Sequence, residues 1–319
     1  MAELTELRQA VAAVLPDVKY VIAWQRGHQP LRSRPLFVRS QADLEKMIWD
    51  ETCYDNLATY LTSHKGEKIG IVVKGCDSRS VIELLQEKLI NRADVVLIGV
   101  PCTGMFSLNK VRVKLDLARV KDACWDKETL TVEIRDGEKQ VLERRDVAPD
   151  KCLSCAYPNP LVFDVHVGEP IEPWAPLQEP YARVIEFEKM DMDQRFEFWR
   201  REMNRCVRCY ACRNACPLCV CKDHCIAESR QPHFQSQEAD VCEKWFFQMI
   251  HSMHTAGRCT ECGACERACP MDIPLLLLKK KMAQVVFELF DYEAGIDQMA
   301  IPPLLTFQSE EEHIEEKKW

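Results

Sequence analysis

Two stretches of the chain, residues 206–217 and 259–270, repeat one cysteine pattern, C-x2-C-x2-C-x3-C-P. Three thiolates at this spacing bind one face of a cubane iron–sulfur cluster, and the cysteine before the proline ligates the other cluster of a pair. The pattern therefore predicts two 4Fe-4S clusters. The predicted ligands of the first are Cys206, Cys209, Cys212 and Cys269, and those of the second are Cys259, Cys262, Cys265 and Cys216.

Structural zinc or a disulfide framework is the alternative use of so many thiols. The chain has 18 cysteines among 319 residues. Zinc sites favour separated C-x2-C pairs, so the compact triplets favour clusters. The sequence opens without the basic and apolar regions of a signal peptide, which predicts a cytoplasmic protein whose thiols bind metal rather than form disulfides.

Cysteines also precede the first run. Cys152 and Cys155 form an isolated C-x2-C pair, which suits redox chemistry, zinc or half of a cluster site. Cys102 and Cys124 would complete a set of four with this pair if the fold brings them together. The spacing alone does not decide that.

A fourth group lies between the two runs, where Cys219, Cys221 and Cys225 are too dense for an ordinary core. Three interpretations are open. These cysteines bind a further cluster together with Cys242, bind zinc with His224, or line a cluster without ligating it. The first of these is favoured.

The elements that position these residues differ between the two halves. In the N-terminal half, short apolar runs at residues 69–73 and 94–100 flank apolar residues at helical spacing, which predicts a βαβ unit with a parallel sheet. Cys76 and Cys102 each follow the carboxyl end of a predicted strand. They should therefore lie along one edge of the sheet, where α/β folds bind ligands.

The helix that begins near Asp77 offers a second candidate site. Ser78, Arg79 and Ser80 would aim free N–H groups and a guanidinium at the same edge, which suits an anion or a flavin. The alternative is that Asp77 or Ser78 merely caps the helix. The chain has no G-x-G-x-x-G fingerprint, so a Rossmann dinucleotide site is not supported.

The chain divides into four parts. Residues 1–168 are predicted to form an α/β domain with a mostly parallel sheet, and the proline-rich segment 169–190 is predicted to be a linker. Residues 191–295 are predicted to form a largely helical, ferredoxin-like iron–sulfur domain. Residues 296–319 are predicted to be an acidic tail.

Charge and hydropathy exclude two classes of partner. The formal net charge is −8, which argues against nucleic acid, because a phosphate-backbone binder needs a basic face. No apolar run approaches the length of a transmembrane helix, so membrane insertion is not expected.

The N-terminal motifs resemble those of the beta-subunit family of coenzyme F-420 hydrogenases and dehydrogenases over residues 15–170. The matching residues are the segment 73–80, the corner at 99–102, and the Cys152 and Cys155 pair that leads to Asp164 and Gly168. The resemblance implies an α/β domain with a 4Fe-4S cluster and often a bound FAD. The implied ligands are Cys102, Cys124, Cys152 and Cys155, with Cys76 as a substitute ligand.

The region 195–295 resembles the ferredoxin-type modules of electron-transfer subunits in anaerobes. Such subunits accompany formate dehydrogenases, aldehyde oxidoreductases, hydrogenases and heterodisulfide reductase-like complexes. The resemblance implies a subunit of a multi-subunit redox complex, with catalytic subunits, flavin or iron–sulfur subunits, or ferredoxin as partners.

Three functions follow from these observations. The first is an electron-transfer subunit that performs no bond chemistry, so no catalytic residue is assigned. The second is a flavin-containing oxidoreductase subunit that itself reduces a diffusible hydride cofactor, either a deazaflavin or NAD(P). The third is a zinc-binding interaction module. The first is favoured because cluster ligation by thiolates, burial and hydrogen bonds to sulfur are all that a relay needs.

Overall fold

The structure is a computed structural model that describes residues 4–64, 66–126, 128–135, 137–173, 179–221, 225–227 and 235–307. The strands of these residues are β1 (Val21–Arg26), β2 (Ser33–Val38), β3 (Met47–Ile48), β4 (Ile69–Val73), β5 (Val95–Gly99), β6 (Val120–Trp125), β7 (Thr129–Ile134), β8 (Lys139–Glu143) and β9 (Val165–His166). The α-helices are α1 (Leu4–Val14), α2 (Gln41–Leu44), α3 (Gly75–Gln86), α4 (Leu108–Lys114), α5 (Arg144–Val147), α6 (Asp150–Leu153), α7 (Ala182–Glu188), α8 (Met192–Arg205), α9 (Ala211–Ala215), α10 (Val241–Met253), α11 (Ala264–Ala268) and α12 (Leu275–Phe290).

The N-terminal part is an α/β domain built on a six-stranded mixed sheet. Its order is β2-β1-β4-β5-β9, and β3 pairs with β1. The pairs β1–β4, β4–β5 and β5–β9 are parallel, whereas β2 and β3 run antiparallel to β1. Every residue of β4 is buried, as expected for the centre of a sheet that is covered on both faces. The prediction of a mostly parallel sheet is confirmed.

Strands β6, β7 and β8 form a second, antiparallel sheet of three strands. Its burial alternates along β7, and its inner face packs with Leu108 and Val111 of α4 in a separate apolar cluster. This sheet therefore has its own small core beside the parallel sheet.

The C-terminal part is largely helical, as predicted. A second apolar cluster joins Trp199 and Met203 of α8, Phe247 of α10 and Leu277 of α12. Asp191 caps α8 through a capping box, which fixes where that helix begins. Within the described residues no helix is long and apolar enough to cross a membrane.

The segment 169–190 contains a helix that the sequence analysis did not predict. Helix α7 lies at its end and buries Val184, while residues 174–178 fall outside the described part. In the acidic tail, residues 308–319 also fall outside it. The domain boundaries themselves stay predictions.

The two halves contact each other through α3. The Arg79 guanidinium donates to the backbone oxygen of Ala294 (2.9 Å), and the hydroxyls of Ser80 and Thr260 lie 2.9 Å apart. A Cβ on Gly295 would lie 2.2 Å from the Arg79 oxygen, and its φ is +71°. Only glycine fits this close approach.

Glu83, also on α3, lies in the same contact and is expected to make stability depend on pH. Its carboxylate accepts a hydrogen bond from the Tyr292 hydroxyl (3.1 Å), and burial raises its pKa to about 8 from a usual value of 4.5. The folded chain therefore retains a proton that the unfolded chain releases. The stabilisation is fully present below the unfolded pKa and is lost as pH rises through the folded pKa.

Glu83→Gln should remove this loss, because the amide keeps a hydrogen-bonding group and has no charge to bury. The measurement is the urea midpoint of unfolding from about pH 6 to about pH 9. Glu288→Gln makes the same change at an exposed position of α12. Equal pH profiles for Glu83→Gln and the unmodified protein would contradict the assignment.

Candidate metal centres

The two cysteine runs fold in the same way. In each run a short helix, α9 or α11, begins right after a residue in the left-handed region, Tyr210 with φ 60° and Gly263 with φ 69°. A second left-handed residue lies two positions earlier in each run, Arg208 with φ 47° and Glu261 with φ 56°. Such winding turns backbone N–H groups inward and forms concavities that bind anions and iron–sulfur clusters. The Arg208 amide accordingly donates to the Cys206 sulfur at 3.4 Å.

The four predicted ligands of the first cluster lie around one cavity. Cys206, Cys209, Cys212 and Cys269 line it together with Phe247 and Gln248 of α10. The pKa of Cys212 is raised to about 11, mainly by burial and in part by the nearby thiols of Cys269 and Cys206. These thiols therefore share one electrostatic environment.

Gln248 is the polar side chain that α10 presents to this cavity. Its amide Nε2 donates to the sulfurs of Cys206 (4.0 Å) and Cys212 (3.8 Å), and the residue is 2% exposed. The amide thus stabilises negative charge on two thiolates of the first set.

The predicted ligands of the second cluster also form one group. Burial raises the pKa of Cys216 and Cys259 to about 12, and each of these thiols interacts with Cys262. Burial likewise raises the pKa of Cys265, and the thiols of Cys216, Cys259 and Cys262 raise it further. The cysteine before the proline of the first run therefore lies with the second run, and its ligation of the second cluster stays a prediction.

Lys279 of α12 supplies positive charge to this group. It is 2% exposed, and its Nζ donates to the Thr255 hydroxyl (2.7 Å) and to the backbone oxygen of His251. Its charge lowers the pKa of Cys216, Cys259 and Cys265, against the effect of burial. A buried ammonium of this kind balances the charge of the thiolates around it.

A third group of cysteines lies at the carboxyl ends of β4 and β5. Cys76, Cys102, Cys152 and Cys155 line one large pocket. Burial raises the pKa of Cys102 to about 12, and the thiols of Cys152 and Cys155 contribute. A Cβ on Gly75 would lie 1.8 Å from the backbone oxygen of Tyr157, so glycine is required where α3 approaches the loop after Cys155.

Cys124 lies apart from this group in the fold, and its role as a ligand stays a prediction. Cys124 is exposed on β6, where it pairs with Thr131 of β7, and it is not among the residues that line the pocket. Residues 120–143 form the separate antiparallel sheet, which holds Cys124 away from the edge of the parallel sheet. Cys76, which the resemblance implies as a substitute ligand, lines the pocket together with Cys102.

The side chains of Ser78, Arg79 and Ser80 form hydrogen bonds within the chain, and Arg79 also lines the pocket of the third cysteine group. The Ser78 hydroxyl donates to the Gly75 oxygen (2.8 Å) and accepts from the Leu161 amide (2.9 Å). Ser80 bonds to Thr260, and Arg79 pairs with Glu293 (3.0 Å) besides Ala294. The three side chains connect segments of this chain, which does not support the anion-site interpretation.

The cysteines between the runs are brought together only in part. Burial raises the pKa of Cys219 to about 11, and Cys225 and Cys221 contribute, so these three lie close to one another. Cys242 is exposed near the beginning of α10. His224, the zinc ligand of the alternative interpretation, lies outside the described residues. Within those residues, no group of three or more His, Cys, Asp or Glu side chains has the arrangement of a metal-ion site.

The residues present nevertheless fit clusters. Soft thiolates are the donors that iron–sulfur clusters require. The Nζ of Lys151 is buried between cysteines and has no hydrogen-bond partner among the described atoms. The negative charge of ligating thiolates would stabilise a buried ammonium in this position. The fold and the cysteine sets thus define an iron–sulfur protein with an α/β domain and a ferredoxin-like module.

Comparisons with known proteins agree with this class. Residues 66–185 match the family model for the C terminus of the beta subunit of coenzyme F420 hydrogenase/dehydrogenase. Residues 202–273 match the model of a 4Fe-4S dicluster domain. Both resemblances drawn from the sequence are confirmed, and the chain is an iron–sulfur protein with 4Fe-4S clusters.

Two curated proteins are similar along most of the chain. The F420-dependent formate dehydrogenase subunit beta of Methanocaldococcus jannaschii is 25% identical, over 90% of this chain and 90% of that protein. The F420-dependent formate dehydrogenase 1 subunit beta of Methanococcus maripaludis is 24% identical, over 89% and 88%. A chain of the F420-reducing NiFe hydrogenase complex from Methanosarcina barkeri is similar with a TM-score of 0.38 and 17% identity, over 48% of this chain and 58% of that one. That last likeness is partial.

Three residues at the sites were not found from the sequence. Gln248, Lys151 and Lys279 each lie on a helix, where a polar residue is ordinarily taken as part of the solvated face. No sequence spacing connects Gln248 or Lys279 to the cysteines, and Lys151, although it directly precedes Cys152, belongs to no ligand motif. Only the packing of α10, α6 and α12 brings them to the thiols.

Gln248→Leu is expected to lower the midpoint potential of the cluster on the first run. The change keeps the volume of the side chain and removes the N–H donor that stabilises the added electron. The loss should be about 1 kcal/mol, the net value of a typical hydrogen bond. The measurement is a redox titration followed by electron paramagnetic resonance.

Gln284→Leu on α12 is the matched control, because the Gln284 side chain bonds to Lys281 and to no thiol. It should leave the midpoint potentials of both clusters of the dicluster domain unchanged. A Gln248→Leu protein with an unchanged potential would exclude the role of this amide.

Proposed function

We propose that this chain is the electron-transfer subunit of a cytoplasmic anaerobic oxidoreductase complex. It relays single electrons between a catalytic subunit and a flavin-containing or ferredoxin partner. When bound, each 4Fe-4S cluster accepts and releases one electron. The protein supplies ligation, burial and charge, which set the potential of each cluster.

One observation carries this proposal: the two predicted ligand sets of the dicluster domain are grouped separately, and their buried polar neighbours differ. Gln248 serves the set that contains Cys206 and Cys212. Lys279 lies beside the set that contains Cys216 and Cys259. Different polar surroundings allow the two clusters to differ in potential, and such a difference favours one direction of electron flow.

A third cluster in the N-terminal pocket would extend the relay into the α/β domain. We propose Cys76, Cys102, Cys152 and Cys155 as its ligands, since these four line one pocket. Cys219, Cys221 and Cys225 with Cys242 stay a prediction for a fourth. The names of the curated relatives favour a formate dehydrogenase as the catalytic partner among the complexes considered.

The second candidate function is a flavin-containing subunit that reduces a deazaflavin. Both curated relatives are named as F420-dependent, and the pocket extends past the cysteines to the aromatic side chains of Tyr157, Tyr181 and Phe287. Release of FAD from the anaerobically purified protein on treatment with acid would favour this function. Absence of flavin, with clusters present, would favour the pure relay.

The ligand sets predict the iron content of cysteine variants. Cys76→Ala should lose about four iron atoms and the matching acid-labile sulfide, since the pocket cluster would lack one of its four thiolates. Cys124→Ala should retain the full content, because that thiol is exposed on β6. The measurement is iron and sulfide analysis after anaerobic purification.

Two results would contradict these assignments. Loss of iron from Cys124→Ala, with no loss from Cys76→Ala, would restore the ligand set that the family resemblance implies. Zinc in place of iron and sulfide in the unmodified protein would exclude electron transfer altogether.

A further inference from the structure

Lys151 lies at the contact between the N-terminal pocket and the dicluster domain. It belongs to α6, directly before Cys152, and lines the pocket with Cys76. On its other side its methylene groups pack against Gly263, where an added Cβ would lie 3.1 Å from the lysine Cδ. Gly263 directly follows Cys262 in the second run. One side chain therefore contacts the surroundings of two cysteine sets.

The charged end of Lys151 is enclosed. The residue is 9% exposed, and its Nζ lies 4.0 Å from the centre of the Tyr54 ring. The Tyr54 hydroxyl would lie 3.1 Å from a Cβ on Gly263, so this ring closes the same contact. Among the described atoms the ammonium has no hydrogen-bond acceptor. A cation without an acceptor is rarely buried unless other charges compensate it.

The compensating charges come from both cysteine sets. Cys76 and Cys152 line the pocket together with Lys151. Cys262 of the second run directly precedes Gly263, against which the lysine methylene groups pack. The charge of this one side chain therefore acts on both sets at once.

We propose that Lys151 is a shared cation that couples the pocket cluster to the cluster ligated by Cys262, and that electrons cross between the two domains at this contact. This inference rests on the proposed function, because it requires that both clusters form. Lys151 is a positioning residue here: it holds a fixed charge and exchanges no electron.

The contact also orders the relay. Gly263 flanks Cys262, so the second set lies next to the pocket, whereas the first set has its exposed thiol, Cys209, at the surface. Electrons that cross at this contact therefore pass between the pocket cluster and the second cluster. A positive charge shared by the pocket and the second cluster favours the reduced form of both.

The test is a redox titration of the purified holoprotein, followed by electron paramagnetic resonance, for Lys151→Met and Lys151→Arg. Lys151→Met removes the charge and keeps most of the volume. It should lower the midpoint potentials of the pocket cluster and of the Cys262 cluster by ~59 mV each. For a one-electron couple this shift corresponds to a tenfold change in the redox equilibrium constant. The potential of the cluster on Cys206 should stay in place. Lys151→Arg keeps the charge and should restore both values.

Two further variants make the assignment specific. Lys121→Met removes an exposed lysine of β6 that pairs with Glu133 (2.6 Å), and it should move no potential. Cys102→Ala removes one thiolate of the pocket and identifies which signal belongs there. In that background, Lys151→Met should still lower the potential of the Cys262 cluster, so loss of the pocket cluster cannot mimic the effect.

The outcomes separate this inference from the proposed function. If the clusters are present but Lys151→Met leaves the potential of the Cys262 cluster unchanged, both alone and in the Cys102→Ala background, Lys151 is not a shared cation. The proposed electron relay would still stand. A Lys151→Arg protein that shows the same shift as Lys151→Met would also overturn it, because a merely steric role would then explain the change. Absence of iron and sulfide from the unmodified protein would remove the proposed function itself.

Discussion

The structure depends on the burial of thiols together with lysines. The chain has a net charge of −8, and five lysines are buried among its described residues, namely Lys74, Lys151, Lys244, Lys279 and Lys280. Lysine is rarely buried without a partner, because removing an ammonium from water costs several kcal/mol, on the order of the Coulomb energy that a partner returns. Lys74, Lys151 and Lys280 line the N-terminal pocket, and Lys279 lies beside the second run. Lys74 pairs with the buried Asp77 carboxylate (2.9 Å), whereas Lys151 lies beside thiols with no hydrogen-bond acceptor among the described residues, so the cysteine sites account for the charge of Lys151.

Two of the lysines also form contacts between the two halves of the chain. Lys280 of α12 donates to the Ser154 hydroxyl (2.6 Å), which lies between the two cysteines of the pocket pair. Its Nζ is also 3.4 Å from the Glu261 carboxylate in the second run. With Lys151 on Gly263, these contacts hold the pocket against the ferredoxin-like module. A relay requires such fixed contacts, because electron transfer between clusters depends on a short and constant separation.

The sequence predicted the parts whose geometry is local. A compact cysteine run encodes its own loop, so the eight ligands of the dicluster domain could be grouped from spacing alone. The strands at residues 69–73 and 94–100 were also found, and with them the shared edge on which Cys76 and Cys102 lie. The family resemblance implies Cys124 as a ligand, and that stays a prediction. The sequence did not show that residues 120–143 form a sheet of their own, in which the pairing of β6 with β7 places this thiol outside the pocket.

The interpretation of α3 shows why polar residues near a sheet edge are ambiguous. Ser78, Arg79 and Ser80 have the composition of an anion site, and in an isolated α/β domain their donors would face a ligand. Here the C-terminal segment occupies that place: Ala294 accepts from Arg79, and Thr260 bonds to Ser80. Ala294 lies 215 positions after Arg79, and Thr260 lies 180 positions after Ser80. These distant residues bind the polar groups that the sequence analysis assigned to a ligand. The same edge of the sheet therefore forms the contact between the two domains. The proposed cluster site is the adjacent group of thiols that this contact encloses.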